Sequence, residues 1–423
     1  MRKDWIESPL GEVCFTTSGG TPSRANKSYY TGDIPWVKSG ELDRGVIYDS
    51  EEHITEEAIK NSSAKVFPKG TLLFALYGAT IGKMATLGVD AATNQAICGI
   101  YKSSVFKSEY LYHFLFFQKN FLIQQGIGGA QPNISQTILK KLIIPVAPLV
   151  EQKFIVNKIE ELFSSLDSGI ADLKKAQEQL VIYRQAVLKK AFEGDYTTKK
   201  INEIADVNTG ATPKRGNSKF WENGTISWVT STVVNNEFVN EPSELITEEA
   251  IKQTNCKLIP KGSLLIAMYG EGKTRGKCSE LNIDTATNQA LAGITLFEEY
   301  QDSKKFVKWF FVKNYEEIRL LSSGGVQPNL NLSIIKNTLI PFPERKQQIN
   351  IIREIESRLS VCDKVEESIK EGLLKAEALR QSILKKAFEG TLLSEEEIAT
   401  CKADRDYEPA SVLLEKIKAG NKN

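Results

Sequence analysis

The chain has only two histidines, His53 and His113, and none of its six cysteines forms a C-x-x-C pair. Zinc sites of the usual spacing are therefore not expected, and no disulfide framework is implied. Pro-Pro occurs nowhere, so the Asn/Asp-Pro-Pro-aromatic tetrad of an amino-methyltransferase is missing. No paired Asp and Glu-x-Lys nuclease constellation follows a suitable strand. No run approaches the roughly 18 apolar residues of a membrane span, and the start, MRKDWIESPL, lacks the apolar core of a signal peptide. An excess of charge is missing too. The 54 basic residues face 53 acidic ones, so a DNA-binding surface would have to be local or shared with partners. These absences lead us to expect a soluble, cytoplasmic, non-catalytic chain.

What is present is a duplication. ITEEAIK at Ile54–Lys60 recurs unchanged at Ile246–Lys252. PKGTLLFALYG from Pro68 answers PKGSLLIAMYG from Pro260, and ATNQAICGI from Ala92 answers ATNQALAGI from Ala286. GGAQPN from Gly128 answers GGVQPN from Gly324. Gly20-Thr21-Pro22 matches Ala211-Thr212-Pro213, and IPWV from Ile34 matches ISWV from Ile226. The offset starts near 192, becomes 194 after the YG motif, and 196 after the third helical segment. So long a period marks a duplicated domain, not a solenoid. The plan reads as a globular half at 1–150, a long helix at 151–196, a second half at 197–346, a second long helix at 347–390, and a tail at 391–423.

The helical stretches repeat most clearly at their ends. RQAVLKKAFEG at Arg184–Gly194 returns as RQSILKKAFEG at Arg380–Gly390. Apolar or small residues recur at steps of four and three through Ile155, Ile159, Leu162, Leu166, Gly169, Leu173, Ala176, Leu180, Tyr183 and Val187. The second copy continues with Ile351, Ile355, Cys362, Val365, Ile369, Ala376, Leu379 and Ile383, with Arg358 and Gly372 as weak positions. This is a heptad seam. A helix of about 40 residues spans ~60 Å. Neither can hide its stripe alone, so the simplest partner for each is the other, in an antiparallel coiled coil.

Each globular half shows a mixed α/β pattern. We expect a helix over Ser50–Lys60, a buried strand over Thr71–Tyr77, and a helix capped by Ser108 running through Gln125. Gly128-Gly129 should end that segment, with a turn at Gln131-Pro132-Asn133 and a strand at Leu142–Val146. In the tail, Pro409–Ala419 predicts a small docking helix with Val412, Leu413 and Ile417 on its apolar face.

Few motifs suggest chemistry. AMYGEGKT at Ala267–Thr274 imitates a phosphate-binding loop, which needs glycine where Ala267 stands and a helix after it. The equivalent Tyr77–Lys83 has no Lys-Ser/Thr end, so a glycine-bent strand end is the better reading. Lys273, Thr274, Arg275 and Lys277 still form a local basic loop suited to a phosphate backbone. Trp36 and Trp228 stand at equivalent positions and read better as core anchors than as base-stacking platforms. Asn94-Gln95 and Asn288-Gln289 could pair with adenine edges. Their identity in both copies favours loop support instead. Leu245 and Trp309 stand near the places of His53 and His113, so both histidines read as structural.

Taken in order and doubled, these landmarks resemble the specificity subunits of Type I restriction-modification systems. The likeness rests on TP…W, PKG…LL, YG…GK, NQA, GG-x-QPN, LKKAFEG and the tail EPASVLLEKIKA at Glu408–Ala419, and it covers nearly the whole chain. The resemblance implies two target-recognition domains on a pseudo-twofold antiparallel coiled coil, each reading one part of a bipartite, asymmetric DNA site. It implies partners: two methylation subunits acting on adenine N6, and translocating restriction subunits. It implies no cofactor on this chain, with S-adenosylmethionine and ATP on the partner subunits.

If the two half-sites differ, readers should lie where the copies disagree. Three regions are favoured. The first is Ser23, Arg24, Asn26 and Lys27 against Lys214, Arg215, Asn217 and Lys219. The second is Lys38, Ser39 and Glu41 against Thr230, Ser231 and Thr232. The third is Ala79, Thr80 and Lys83 against Lys273, Thr274, Arg275 and Lys277. For each residue, a solvated loop role is an equal alternative. The helix interface should contain Ile159, Leu162, Leu166, Leu173, Leu180, Val187, Ile355, Ile369, Leu379 and Ile383. Two other functions compete: a stand-alone bipartite DNA-binding regulator, and a coiled-coil scaffold without a DNA role.

Overall fold

Leu72–Ala75, four consecutive buried residues, forms the middle strand of a five-stranded sheet. A strand buried on both faces needs no polar alternation, which is why this stretch reads as a plain apolar run. The computed structural model describes residues 2–43, 45–126, 133–270, 273–321 and 329–420, with backbone only at 417–420. The expected turn from Gly128 and its copy from Gly324 therefore lie outside the described residues, except for Asn133 and Asn329.

The strand order in the first sheet is Thr16–Ser18, Ile97–Ile100, Leu72–Ala75, Met84–Leu87, Val46–Ile47. The second copy repeats it as Ala205–Thr209, Leu291–Leu296, Leu264–Ala267, Cys278–Leu281, Phe238–Val239. Each domain adds a four-stranded sheet, His53–Ile54, Ile34–Val37, Ala91–Thr93, Val66–Phe67 in the first and Glu244–Ile246, Ile226–Val229, Thr285–Thr287, Leu258–Ile259 in the second. A two-stranded ribbon pairs each domain's start with its end: Ile6–Pro9 with Ile143–Val146, and Thr198–Lys200 with Leu339–Pro341.

The two long helices run Leu149–Ala191 and Arg345–Phe388. The chain divides into two units, one of residues 1–173 with 371–423 and one of residues 174–370. Each unit thus holds one domain, the first half of the helix that follows it, and the last half of the other helix. In the first unit Ile155 and Ile159 share a core with Ile383, Leu384 and Ala387, and Leu173 lies against Gly372. In the second, Leu188 and Phe192 share a core with Ile352 and Ile355. Both sets run antiparallel.

Each LKKAFEG motif plugs its phenylalanine into its own unit's domain. Phe388 lies 5.2 Å from Tyr110, 5.1 Å from Phe114 and 5.8 Å from Phe117. Phe192 lies 5.1 Å from Phe306 and 5.8 Å from Phe310. The motif at the end of the first helix therefore serves the second domain, and the motif at the end of the second helix serves the first. In the second unit the chain passes covalently from Gly194 into the strand Thr198–Lys200. In the first unit Gly390 meets the same domain edge by contact: a Cβ there would stand 2.8 Å from Arg2 Cγ. The Arg2 guanidinium and the Trp5 indole are both held by buried Glu151, at 3.0 and 2.8 Å.

Four expectations need correction. The seam uses a phase one residue later at alternate positions: Leu379, Val365 and Tyr183 are 51%, 41% and 45% exposed. Arg380 and Arg184 occupy the inner positions instead, because carboxylates across the seam receive their charges. Ile159, Val187, Ile355, Ile369 and Ile383 are buried, while Leu162, Leu166, Leu173 and Leu180 are half-buried. The helix expected over Ser50–Lys60 covers only Glu56–Lys60, since Thr55 caps it and Ile54 is drawn into pairing with Ile34. Ser108 is the first helical residue and Lys107 the cap, its N–H donating to Gln152 Oε1 at 2.9 Å. The tail holds a further helix, Glu395–Ala403, before Ala410–Gly420. Leu413 is buried in the first unit's core with Leu414 partly buried beside it, whereas Val412 is 36% exposed.

Candidate nucleic-acid interface

The landmarks identical in both copies converge on one structural frame per domain. The Trp36 indole donates to Gly20 O at 3.0 Å, and Trp228 to Ala211 O at 3.1 Å. Both rings are almost fully buried, so they anchor cores and are not platforms for bases. The Thr21 hydroxyl donates to Gln95, and Thr212 donates to Gln289 at 2.8 Å. Asn94 and Asn288 accept from the backbone N–H groups of Ala96 and Ala290. These amides support their loops. In the PKG turns, Gly70 and Gly262 adopt φ of 85° and 87°, which requires glycine.

The frame holds an arginine at its rim. The Arg24 guanidinium stacks 4.2 Å from the Tyr30 centroid and 4.9 Å from Trp36, and pairs with Glu52. Arg215 stacks 4.0 Å from Trp221 and 5.3 Å from Trp228, and pairs through both Nη atoms with Glu244. The guanidinium in each domain holds its carboxylate below the usual range. Both arginines remain about half exposed. Asn26 and Asn217 cap short 3₁₀ turns through the N–H groups of Ser28 and Lys219, which leaves Lys27 and Lys219 on exposed turns. Lys214 O accepts from the Trp221 indole at 3.3 Å.

The three candidate regions come together in each domain. In the first, Glu52 bridges Arg24 to Lys38, whose ammonium lies 3.0 Å away. Lys38 opens the 3₁₀ turn Ser39–Glu41, and just beyond it Asp43 accepts from Lys83 at 2.9 Å. In the second, the Thr230 N–H donates to Ser243 Oγ beside Glu244. Thr230 opens the turn Ser231–Asn235, whose last residue accepts from Lys277 at 2.8 Å. Thr80 O accepts from Lys83 N, and Thr274 O from Lys277 N, so both threonines shape the turn before the lysine. The Lys273 and Arg275 carbonyls accept from Tyr315 and Arg319, pinning that loop to a helix. It leads into the strand Cys278–Leu281 rather than a helix, which a phosphate-binding loop would require. Beside Lys277 a cavity of about 410 Å³ opens against Trp309 and Lys308.

Sequence reasoning missed the acidic partners Glu52 and Glu244. Each stands two positions before the first residue of the repeated ITEEAIK, a signal that could have found them. His53 bonds Asp49 at 2.8 Å, and His113 packs edge-on to Phe163. Burial pushes the His113 pKa down to about 4, a structural histidine kept neutral. No group of three or more His, Cys, Asp or Glu that could hold a metal ion occurs among the described residues. No helix among them is long and apolar enough to cross a membrane.

Two copies of one α/β domain, each with an arginine–carboxylate pair at its rim, alternate along the chain with two long helices. A family model for the Type I restriction modification DNA specificity domain matches residues 2–179 and 193–375. The chain belongs to that family, and its role is that of a DNA sequence-specificity subunit. It is 28% identical over 372 residues to the Type I restriction enzyme MjaIX specificity subunit of Methanocaldococcus jannaschii, covering 81% of this chain and 83% of that one. It is 25% identical over 447 residues to the StySPI specificity subunit of Salmonella potsdam, covering 99% and 96%. Its fold is similar to a chain from a type I R-M system studied for complex assembly, with TM-score 0.73, 19% identity and 93% and 99% of the two chains covered. It is also similar to the HsdS subunit from Thermoanaerobacter tengcongensis, with TM-score 0.61, 19% identity and coverage of 93% and 98%.

Proposed function

We propose that this chain reads a bipartite, asymmetric DNA site, one part per domain, and brings that choice to the methylation and restriction subunits of a Type I complex. The observation that carries this reading is the pairing of a shared frame with dissimilar rims. Two domains of one topology present different polar groups at equivalent places, as two different half-sites require. The chain itself is non-catalytic. S-adenosylmethionine and ATP belong to the partner subunits, and methylation of a base within a duplex requires flipping, which the partner enzyme performs. The residues that touch DNA include Arg24, Lys27, Lys38 and Lys83 and their counterparts Arg215, Lys219, Thr230 and Lys277. The complex works in the cytoplasm.

The test is reconstitution. Methylation subunits, S-adenosylmethionine and plasmid DNA are incubated with and without the chain. Adenine methylation that needs the chain, at one two-part motif, is the expected result. Tight, specific binding by the chain alone, with no methylation in any mixture, would favour a stand-alone regulator.

A further inference from the structure

Just outside the shared frame, the two domains differ as a matched set. In the first, the Lys38 ammonium stands 3.3 Å from Glu51 and 3.0 Å from Glu52. Buried Glu41 accepts from the Lys38 N–H at 2.9 Å, the Glu51 N–H at 3.2 Å and the Ser50 hydroxyl at 3.0 Å, tying the turn to the facing segment. Asp43 holds Lys83. In the second domain Thr230 stands for Lys38, Val233 for Glu41, Asn235 for Asp43 and Ser243 for Glu51. The join survives by other means: the Thr230 N–H donates to Ser243 Oγ at 3.2 Å, and the Thr230 and Thr232 hydroxyls bond each other at 3.0 Å.

Four charged positions thus become uncharged together, while the frame keeps its arginine, glutamate and tryptophan. Closing the turn does not demand this, because both chemistries close it. The arginines, by contrast, are held alike in both domains and cannot distinguish two half-sites by themselves. We propose that Lys38, Asp43 and Glu51 in the first domain, and Thr230, Asn235 and Ser243 in the second, determine which base pairs each domain accepts. This rests on the chain being a bipartite DNA reader. Lysine only donates and a carboxylate only accepts. Side by side they match the guanine O6 and N7 acceptors and the cytosine N4 donor of a G·C pair. The first domain's rim therefore selects a G·C pair that the second domain's rim does not.

The experiment selects and sequences DNA bound by the chain assembled with its methylation subunits. Three chains are compared: wild type, Glu51→Ser, and Lys38→Thr with Asp43→Asn and Glu51→Ser. Glu51 is 60% exposed, so the single variant does not endanger the fold. The expected result is discrimination at one G·C pair falling about tenfold or more, within one half of the motif, with the other half unchanged. An unchanged motif in both variants, or equal weakening on every sequence, would overturn the proposal. A wild-type complex that selects no two-part motif would instead refute the underlying reading.

Discussion

Arg184 Nη2 lies 2.7 Å from Asp363 Oδ1 and 2.8 Å from Glu366 Oε2, across the two long helices. In the other unit the equivalent Arg380 reaches the equivalent Asp167 and lies 4.5 Å from the Phe163 ring centroid. An arginine stem can cover apolar surface while its head finds a carboxylate. Each pair therefore marks the antiparallel register of the helices within its own unit. Exposed carboxylates limit their strength. A double-mutant cycle on Arg184→Ala and Asp363→Ala should give a coupling of about 0.2–1 kcal/mol. A coupling of zero would make the pair incidental to register.

Phe388→Ala should cost about 3–5 kcal/mol, because it empties a nest of three rings. Phe192→Ala should cost a similar amount in the second unit. Hydrogen exchange followed by domain is the check: Phe388→Ala should loosen amides of the first domain, although residue 388 stands at the far end of the sequence. Loosening confined to 197–346 would contradict the pairing of motif and domain.

His113 predicts a pH dependence. Its folded pKa is about 4 against an ordinary 6.5, so the unfolded chain takes the proton first. The associated stability is fully present above pH 6.5 and is lost as pH falls from there towards about 4. At pH 5 the loss is about 2 kcal/mol. Urea midpoints at pH 7.5 and 5 should separate more for wild type than for His113→Phe. Equal separation would show that another group governs the window.

The duplication and both long helices are legible in the sequence, since each is a pattern repeated over many residues. The seam phase is less so. Leu379 and Tyr183 look like seam residues by hydropathy, yet Arg380 and Arg184 take the inner positions beside them through carboxylates on the other helix, and Val365 is left 41% exposed. Ser108 looked like a cap, but the helix start is fixed by Gln152, 45 residues away from Lys107. The tail helix Glu395–Ala403 has a local signal in the sequence, the capping box of Ser394 and Glu397. At the interface, the basic residues could be named from sequence, whereas the acids that orient them depend on strands meeting in space.

Lys273 and Lys277 flank a pinned loop; Lys273 is exposed, and the Lys277 ammonium donates to Asn235 at 2.8 Å. Replacing either with alanine should weaken DNA binding about equally across sequences and lower the magnitude of the salt slope by about 1. A loss concentrated on one base pair would mark a base reader instead.

The tail's Leu413 is 4% exposed within the first unit's core, and Lys402 pairs with Asp4 at 2.6 Å. Deleting residues 408–423 should therefore destabilise the first unit and weaken assembly with partner subunits, measured by thermal unfolding and co-purification. Unchanged assembly would remove the tail from the account.

The most direct test of the central claim is adenine methylation mapped genome-wide by long-read sequencing, in cells carrying the methylation subunit with and without this chain. A two-part motif with an unread gap should appear only with the chain, and exchanging residues 1–150 for another such domain should change one part alone. Both parts changing together, or no new methylation despite stable co-purification, would contradict it.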